Sequence, residues 1–180
     1  KNLEFGFGLC TYEDRNNILR IGIERQRRHL RPIHTFNLLI EGHNLIREMV
    51  KEFQLCPKYC FLQTSQEPCS GMEEGYCKGV CAGKEKKERY NERVRQALAA
   101  LRDRLPSFLL LEDGRRPGER ACVLVEEGKF RGLGYIPEDV EVQSREHARE
   151  LVTLYPENGF IRSLVLRHGT LHPARRIDLR

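Results

Sequence analysis

Residues 55–83 read LCPKYCFLQTSQEPCSGMEEGYCKGVCAG, and this stretch holds five of the seven cysteines in the 180-residue chain. The five are Cys56, Cys60, Cys69, Cys77 and Cys81. Four or five thiols in so short a stretch can converge on one point, where thiolates repel one another unless a cation neutralises them or they oxidise. The stretch therefore indicates either a metal centre or a set of disulfides.

Composition favours the metal over the disulfides. Seven cysteines is an odd number, which a complete disulfide framework would not use. The sequence shows no secretion signal and no apolar stretch long enough to span a bilayer, so we expect a reducing, cytoplasmic setting and no membrane partner. The expected site is four thiolates around zinc or an iron–sulfur cluster. The C-x2-C pairs of most zinc ribbons are missing, which makes the common zinc folds a poor match.

Positive charge is concentrated around the cysteines and in the region before them. The formal net charge is +5, a mild bias toward polyanionic partners. The basic residues that we predict to contact duplex DNA are Lys78, Lys84, Lys87, Arg27 and Arg28. Gly79 and Gly83 let the backbone turn closely beside them, and their amides are candidates for phosphate contacts. A solvated surface laced with salt bridges is the alternative explanation for these charges.

Hydrophobic periodicity predicts a hairpin followed by two helices. Phe5 to Thr11 and Leu19 to Ile23 alternate, with turn residues between them, which is typical of a β-hairpin. Thr35 is the predicted N-cap of a helix of about five turns, with Leu39, Ile46, Val50 and Phe53 on its apolar stripe. A second amphipathic helix is predicted from Lys86 to Arg104, so the cysteine stretch joins two helices.

Beyond Pro106 the pattern changes to short strands and turns. Residues 108–111, 121–126 and 129–136 predict a three-stranded antiparallel meander. Ser144 is predicted to cap a helix through Tyr155, a short helix covers 160–167, and a final strand covers 176–180. The fold class is therefore α+β, with one lobe over 1–105 that carries the cysteine segment and a small α+β lobe over 106–180.

Three short motifs carry a resemblance to a known family. They are Pro68-Cys69, the segment YCKGVCAGKE at residues 76–85, and YNERV at residues 90–94. Together they resemble the cysteine-rich segment that follows the GIY-YIG nuclease domain in the UvrC/Cho-like excinuclease family. LCPKYC at residues 55–60 and VEEGKFRG at 125–132 are more similar to a branch fused to a DNA polymerase III epsilon-like 3′–5′ exonuclease.

The resemblance implies a cofactor and its ligands. Members of this family are reported to hold a 4Fe–4S cluster on four such cysteines, with zinc as our alternative. By resemblance, Cys69, Cys77 and Cys81 carry over directly as ligands. The fourth ligand is Cys56, on the strength of the LC element, with Cys60 as the alternative.

The sequence shows no catalytic constellation of its own. The paired tyrosines, catalytic Arg and metal-binding Glu of a GIY-YIG nuclease are not readable here, and neither is a carboxylate set for an exonuclease. We therefore expect a non-catalytic DNA-binding and structural region of a DNA-repair endonuclease, whose nuclease domain is missing from this chain. The alternatives are a metal-stapled protein-interaction module without a nucleic-acid role and, more remotely, a redox protein.

Overall fold

A computed structural model describes residues 6–27, 29–65, 67–157 and 159–179 of the chain. The chain divides into two compact units between Arg102 and Asp103, called here the first unit and the second unit. Both combine helices with antiparallel sheet, which confirms the predicted α+β class. Within the described ranges, no helix is both long enough and apolar enough to cross a bilayer.

The first unit combines a small sheet with two main helices. Its elements, in chain order, are β1 (Phe7–Glu13), β2 (Leu19–Arg25), β3 (His34–Phe36), α1 (Leu39–Glu52), α2 (Ser70–Glu73), a 3₁₀ turn (Val80–Ala82) and α3 (Lys87–Arg104). The sheet is antiparallel, in the order β2-β1-β3. The apolar sides of the sheet, α1, α3 and the cysteine stretch share one hydrophobic core.

The hairpin forms where the sequence alternates, and its turn is fixed by one side chain. The Asp14 carboxylate accepts hydrogen bonds from the backbone N–H groups of Asn16 and Ile18. Asn17 adopts a left-handed backbone conformation, with φ 58°, which asparagine tolerates better than most residues. These contacts set the register in which Glu13 pairs with Leu19.

The start of α1 differs from the prediction. Thr35 is not a helix cap, because it lies buried in β3, which pairs with β1. The helix begins at Leu39, and the Glu41 carboxylate accepts from the Leu38 N–H to close its first turn. Leu39 itself is 40% exposed. The helix is therefore a turn shorter than expected, and Gly42, Ile46, Met49 and Val50 form its buried face.

The second predicted helix is confirmed by α3. Its buried face carries Tyr90, Val94, Ala97, Leu98 and Leu101, which follow helical spacing. The helix begins at Lys87, directly after the cysteine stretch. It therefore brings its first two turns against the cysteines.

The second unit is a sheet with one helix on each face. Its elements are β4 (Phe108–Asp113), β5 (Glu119–Glu126), β6 (Lys129–Pro137), α4 (Arg145–Glu150), β7 (Thr153–Leu154), α5 (Gly159–Leu171), a 3₁₀ turn (Pro173–Arg175) and β8 (Arg176–Asp178). The strand order is β7-β6-β5-β4-β8, and the predicted meander forms its centre. Ala148 of α4 packs with Leu109 and Leu124 on one face, whereas α5 packs on Phe108 and Val125 on the other.

Two helix lengths differ from the prediction in this unit. Ser144 caps α4 as expected, because its hydroxyl accepts from the His147 N–H, but the helix ends at Glu150 and the chain continues into β7. Helix α5 begins at Gly159 and runs through Gly169 to Leu171, so Gly169 does not end it. A side chain at Gly169 would begin 3.1 Å from the Phe108 ring, so glycine lets the helix approach that ring closely. The final strand ends at Asp178.

Candidate metal centre

The four candidate ligands come from four different local structures. Cys56 follows the end of α1, and Cys69 directly precedes α2. Cys77 follows α2, and Cys81 lies inside the 3₁₀ turn. The turn is framed by Gly79 and Gly83, both left-handed with φ of 86° and 69°, a conformation that glycine adopts without strain. Irregular backbone thus delivers all four thiols to one point.

The sulfurs of Cys56, Cys69, Cys77 and Cys81 all lie within 4.8 Å of one another. Three of the four residues are buried, and Cys81 is half-buried. Buried thiols that face each other at this distance either share protons, oxidise or bind a cation. All seven cysteines are free thiols, and the four clustered ones could together hold one metal ion.

Backbone amides lie beside three of the four sulfurs. The Gly79 N–H donates to the Cys77 sulfur at 3.5 Å, and the N–H groups of Tyr59 and Met72 act to lower the pKa of Cys56 and Cys69 against larger effects that raise it. Hydrogen bonds of this kind stabilise the ionised form of a thiol and orient a metal ligand from behind.

The thiols perturb one another strongly. A hydrogen bond donated by Cys56, together with the Gly79 N–H, lowers the pKa of Cys77 to about 5. The same shared proton raises the pKa of Cys56, and burial raises the pKa of Cys69 to about 12. The neighbouring thiols therefore favour ionisation of Cys77 over the other cysteines of the cluster. Binding of a cation by the four sulfurs would release the remaining protons.

The spacing of the sulfurs fits a single tetrahedral ion. Zinc–sulfur bonds of about 2.3 Å would place four sulfurs roughly 3.8 Å apart, so separations within 4.8 Å need little adjustment. A 4Fe–4S cluster binds each thiolate through a different iron and therefore spreads the four sulfurs further apart. The donor set suits either group chemically.

Cys60 lies apart from the four clustered sulfurs. Its thiol is 1% exposed and stands 4.0 Å from the Tyr90 hydroxyl. Burial is the main cause that raises the pKa of Cys60 to about 12. The Tyr90 ring is fully buried and packs edge-on against Tyr59 at 5.7 Å. The structure therefore groups Cys56, rather than Cys60, with the other three cysteines.

Side chains of helix α3 form hydrogen bonds with the hairpin and with the end of α1, and an ion pair with the residue Glu85 before the helix. The Asn91 side chain accepts from the Leu19 N–H at 2.8 Å and donates to the Asn17 carbonyl at 2.8 Å. Arg93 donates to the carbonyls of Phe53 and Gln54 at the end of α1. Its guanidinium also forms an ion pair with Glu85. The Arg93 side chain is 14% exposed and the Glu85 side chain is 6% exposed. Sequence reasoning missed these roles, although the YNERV motif was the signal that contained them.

The residues predicted to bind DNA divide into three groups. Lys78, Lys84 and Arg27 are exposed, whereas Lys87 is half-buried and donates to the Asn16 carbonyl of the hairpin turn. Arg28 lies outside the described residues. The expected phosphate contacts of two amides do not fit, since the Gly79 N–H donates to Cys77 and the Gly83 N–H to the Val80 carbonyl.

The net charge of +5 comes entirely from residues 1–102, which include the cysteine stretch. Residues 1–102 carry 18 Lys and Arg against 13 Asp and Glu, whereas residues 103–180 carry 13 of each. The net charge therefore favours attraction of a polyanion to the first unit.

Comparison with known proteins identifies a family for this part of the chain. Residues 9–100 match the family model described as the middle domain of the UvrC/Cho excinuclease. A sugar fermentation stimulation protein homologue from Shewanella denitrificans is 34% identical over 64 residues, which are 33% of this chain and 27% of that relative. The chain thus spans about a quarter of the length of that curated relative. No solved structure matches the chain.

Proposed function

Because this chain belongs to the UvrC/Cho excinuclease family, whose middle domain accounts for residues 9–100, we propose that its first unit binds DNA for a repair endonuclease. The observation that carries the proposal is the coincidence of three features in one segment. The family match, the four clustered cysteines and the net positive charge all lie within the first 102 residues. Contacts of Lys and Arg with phosphates suit an enzyme that must act at any sequence.

The proposed contact surface lies beside the cysteines. Lys78 is the neighbour of Cys77, and Lys84 follows the 3₁₀ turn that holds Cys81. Both lysines are exposed, so they are free to reach a phosphate. A metal bound by the cysteines would fix the loop that carries them, and in this sense the metal organises the DNA-binding surface.

The test is the salt dependence of duplex binding. We expect a Lys78→Ala, Lys84→Ala, Lys87→Ala variant to bind more weakly at every sequence, because phosphate contacts are lost. Each lost contact should reduce the slope of log affinity against log salt by about 0.9. Lys87 is already bound to the hairpin turn, so restoring Lys87 alone should recover little of the slope. The matched control is Lys86→Ala, an exposed lysine one residue away.

An unchanged slope in the triple variant would contradict the proposal. The hypothesis of a protein-interaction module without a nucleic-acid role would then be preferred. One feature of the second unit supports that hypothesis. Leu164 and Leu171 of α5 are 51% and 64% exposed, which is unusual for apolar side chains on one helix. A binding assay at a single salt concentration would not separate the two proposals, because only phosphate contacts change the slope.

We propose that the four cysteines hold a metal centre, and the sulfur spacing supports a single tetrahedral zinc ion over the 4Fe–4S cluster that the resemblance implies. Protein purified without oxygen should contain one zinc per chain and lack the broad visible absorption of an iron–sulfur cluster. Four irons per chain with that absorption would establish the cluster instead. Absence of both metals in folded protein would overturn the metal centre itself.

The ligand set is tested by matched substitutions. Cys56→Ser should lose the metal, because it removes one of the four clustered sulfurs. Cys60→Ala should keep the metal and cost only packing, because its thiol faces Tyr90. The measurement is metal content per folded chain. Metal loss in the Cys60 variant with retention in the Cys56 variant would reverse the assignment.

The proposal extends to a nuclease that works with this region. We infer that a GIY-YIG domain supplies strand cleavage, in the branch that also carries a DNA polymerase III epsilon-like exonuclease. The LCPKYC and VEEGKFRG segments support that branch. The chain alone should therefore fail to nick supercoiled DNA with Mg²⁺ or Mn²⁺. Metal-dependent nicking that survives purification would reveal an active site within these 180 residues.

A further inference from the structure

Two exposed aromatic rings lie side by side in the first unit, one on the hairpin and one on the cysteine stretch. Tyr12 of β1 and Phe61 of the cysteine stretch have ring centroids 6.1 Å apart and ring planes 33° apart. Their side chains are 43% and 48% exposed, although large aromatic residues usually bury their faces. With Arg20 and Tyr59 they form a group that we call the aromatic platform.

Phe61 occupies a position where a bulky residue is costly. The N–H of Leu62 donates to the Pro57 carbonyl and the N–H of Phe61 to the Lys58 carbonyl, which is the hydrogen-bond pattern that ends many helices. The residue between these bonds takes a left-handed conformation, and Phe61 has φ 53°. Glycine or asparagine normally fills such a site, because a phenylalanine there is strained.

The neighbouring strand leaves room for the ring. A side chain at Gly22 of β2 would begin 3.0 Å from the Phe61 ring, so the missing side chain lets the ring rest on the strand. The Phe61 ring therefore packs against β2 on one side, while almost half of the residue's surface stays in solvent.

A fixed guanidinium completes the platform. Arg20 is the cross-strand partner of Tyr12, and its side chain is 23% exposed. The Asp14 carboxylate accepts from the Arg20 Nε at 2.8 Å, and the guanidinium lies over the Tyr59 ring at 4.4 Å. It also lies 5.9 Å from the centre of the Phe61 ring. The cation therefore lies between two rings in a set orientation, which is favourable for stacking.

We propose that the aromatic platform binds an unpaired nucleobase of single-stranded DNA by stacking. This inference rests on the proposed DNA-binding function and adds a preference for unpaired strands. Stacking on aromatic rings beside a positive surface is how proteins hold single strands without reading their sequence. The surplus of five positive charges in residues 1–102 supplies the complementary attraction.

A nucleobase fits this surface better than a protein partner does. Stable protein interfaces bury about 800 Å² on each side, far more than two rings offer. Two neighbouring rings match the size of one or two bases. Phe61 also combines a strained left-handed backbone with a ring that is 48% exposed, so part of the ring is available for stacking.

The experiment compares two labelled single strands of equal length by fluorescence anisotropy. One is an oligothymidylate and the other is an abasic strand with the same number of phosphates. The metal-loaded chain should bind the oligothymidylate at least about 5-fold more tightly, because base stacking adds to phosphate contacts. A Tyr12→Leu, Phe61→Leu variant should lose that preference and keep its affinity for the abasic strand.

The second unit offers a matched control. Tyr135 is 43% exposed and lies under the Arg115 guanidinium at 3.8 Å, so it reproduces the ring and cation in a unit without net charge. Tyr135→Leu should leave the preference unchanged. Phe61→Asn suits the left-handed backbone and guards against misfolding, and it should lower the preference while the melting temperature holds or rises.

The outcomes separate this inference from the proposed function. If neither strand nor duplex DNA binds, the DNA-binding function fails and the inference falls with it. If both strands bind equally in the unmodified chain, the inference alone is overturned. An unchanged preference in the double variant and in Phe61→Asn also overturns it, because the bases would then stack on another part of the chain.

Discussion

The two units of this chain reach stability by different means. The second unit has a five-stranded sheet with a helix on each face, and its core consists of ordinary apolar contacts. The first unit has only a three-stranded sheet, and much of its core is built from the irregular cysteine stretch. A long irregular segment loses conformational entropy on folding without regular backbone bonding in return. We therefore expect the first unit to depend on a bound group for its stability, and the second unit not to.

The largest effect should follow from removing one metal ligand. Cys77→Ser should cost the first unit most of its stability, because metal binding contributes about 10–16 kcal/mol in small zinc domains. Hydrogen exchange should show loss of protection in α1 and α3, and metal analysis should show an empty site. The second unit should keep its protection, since it has no part in the cluster.

The matched control for this change is Cys122→Ser in the second unit. Cys122 is fully buried, and its thiol faces the Leu151 carbonyl at 3.8 Å. The substitution should cost about 1–2 kcal/mol in that unit alone, as an ordinary core change does. If the two serine variants proved equally mild, the first unit would not depend on a metal and the comparison would fail.

A smaller loss of stability should follow from removing the hydrogen bonds between Asn91 of α3 and the hairpin. Asn91→Ala removes two hydrogen bonds and leaves the Leu19 N–H and the Asn17 carbonyl without these partners. The expected loss is about 2–3 kcal/mol in the free energy of unfolding of the first unit. Gln96→Ala on the exposed side of the same helix should change it by less than about 0.5 kcal/mol. Equal losses in a urea titration would mean that these hydrogen bonds contribute nothing beyond helix propensity.

The smallest effect concerns pH in the second unit. The pKa of Glu112 lies below its ordinary value, because hydrogen bonds from His168 and Arg175 outweigh the opposing effect of burial. A lowered pKa in the folded state contributes stability above the unfolded value, near 4.5, and that stability is lost as the pH falls through the folded value. Glu112→Gln should therefore flatten the loss of stability below pH 4.5.

Thermal melts across this pH range provide the measurement. Glu150→Gln, an exposed carboxylate on α4, serves as the control and should preserve the wild-type pH profile. A Glu112 variant with the same acid sensitivity as the unmodified chain would show that the three-residue cluster is only a surface contact.

Local patterns were enough to predict the parts of the fold that local chemistry forms. The hairpin, α3 and the meander were predicted because alternation and helical spacing persist over several residues. Strand β3 was missed, because three residues show no periodicity and Thr35 reads equally well as a cap. Its pairing with β1 is a tertiary contact across some thirty residues of sequence.

Strand β7 was missed for a related reason. It is two residues long and forms by pairing with β6, which Gly132 and Gly134 make possible. A side chain at Gly134 would begin 2.1 Å from the Leu151 carbonyl oxygen, so only glycine lets the backbones approach. Those two glycines were the available signal, but glycine in a strand has several explanations.

The number and crowding of the cysteines predicted a candidate metal site, but the sequence did not predict which four sulfurs lie together. Crowded thiols indicated a metal, yet spacing alone left Cys56 and Cys60 as alternatives for the fourth position. The difference between them depends on the direction of a turn that ends at Phe61 and on the ring of Tyr90 behind it. Neither leaves a local pattern in the sequence.

The hydrogen bonds from α3 side chains to backbone atoms of other elements have a consequence for sequence variation. Asn91 and Arg93 bind backbone atoms of Leu19 and Phe53, so the identity of the side chains at those two positions does not enter the bonds. Substitutions at the partner positions need no compensating change on the helix. Methods that infer contacts from co-varying residue pairs will therefore pass over the bonds that hold this unit together.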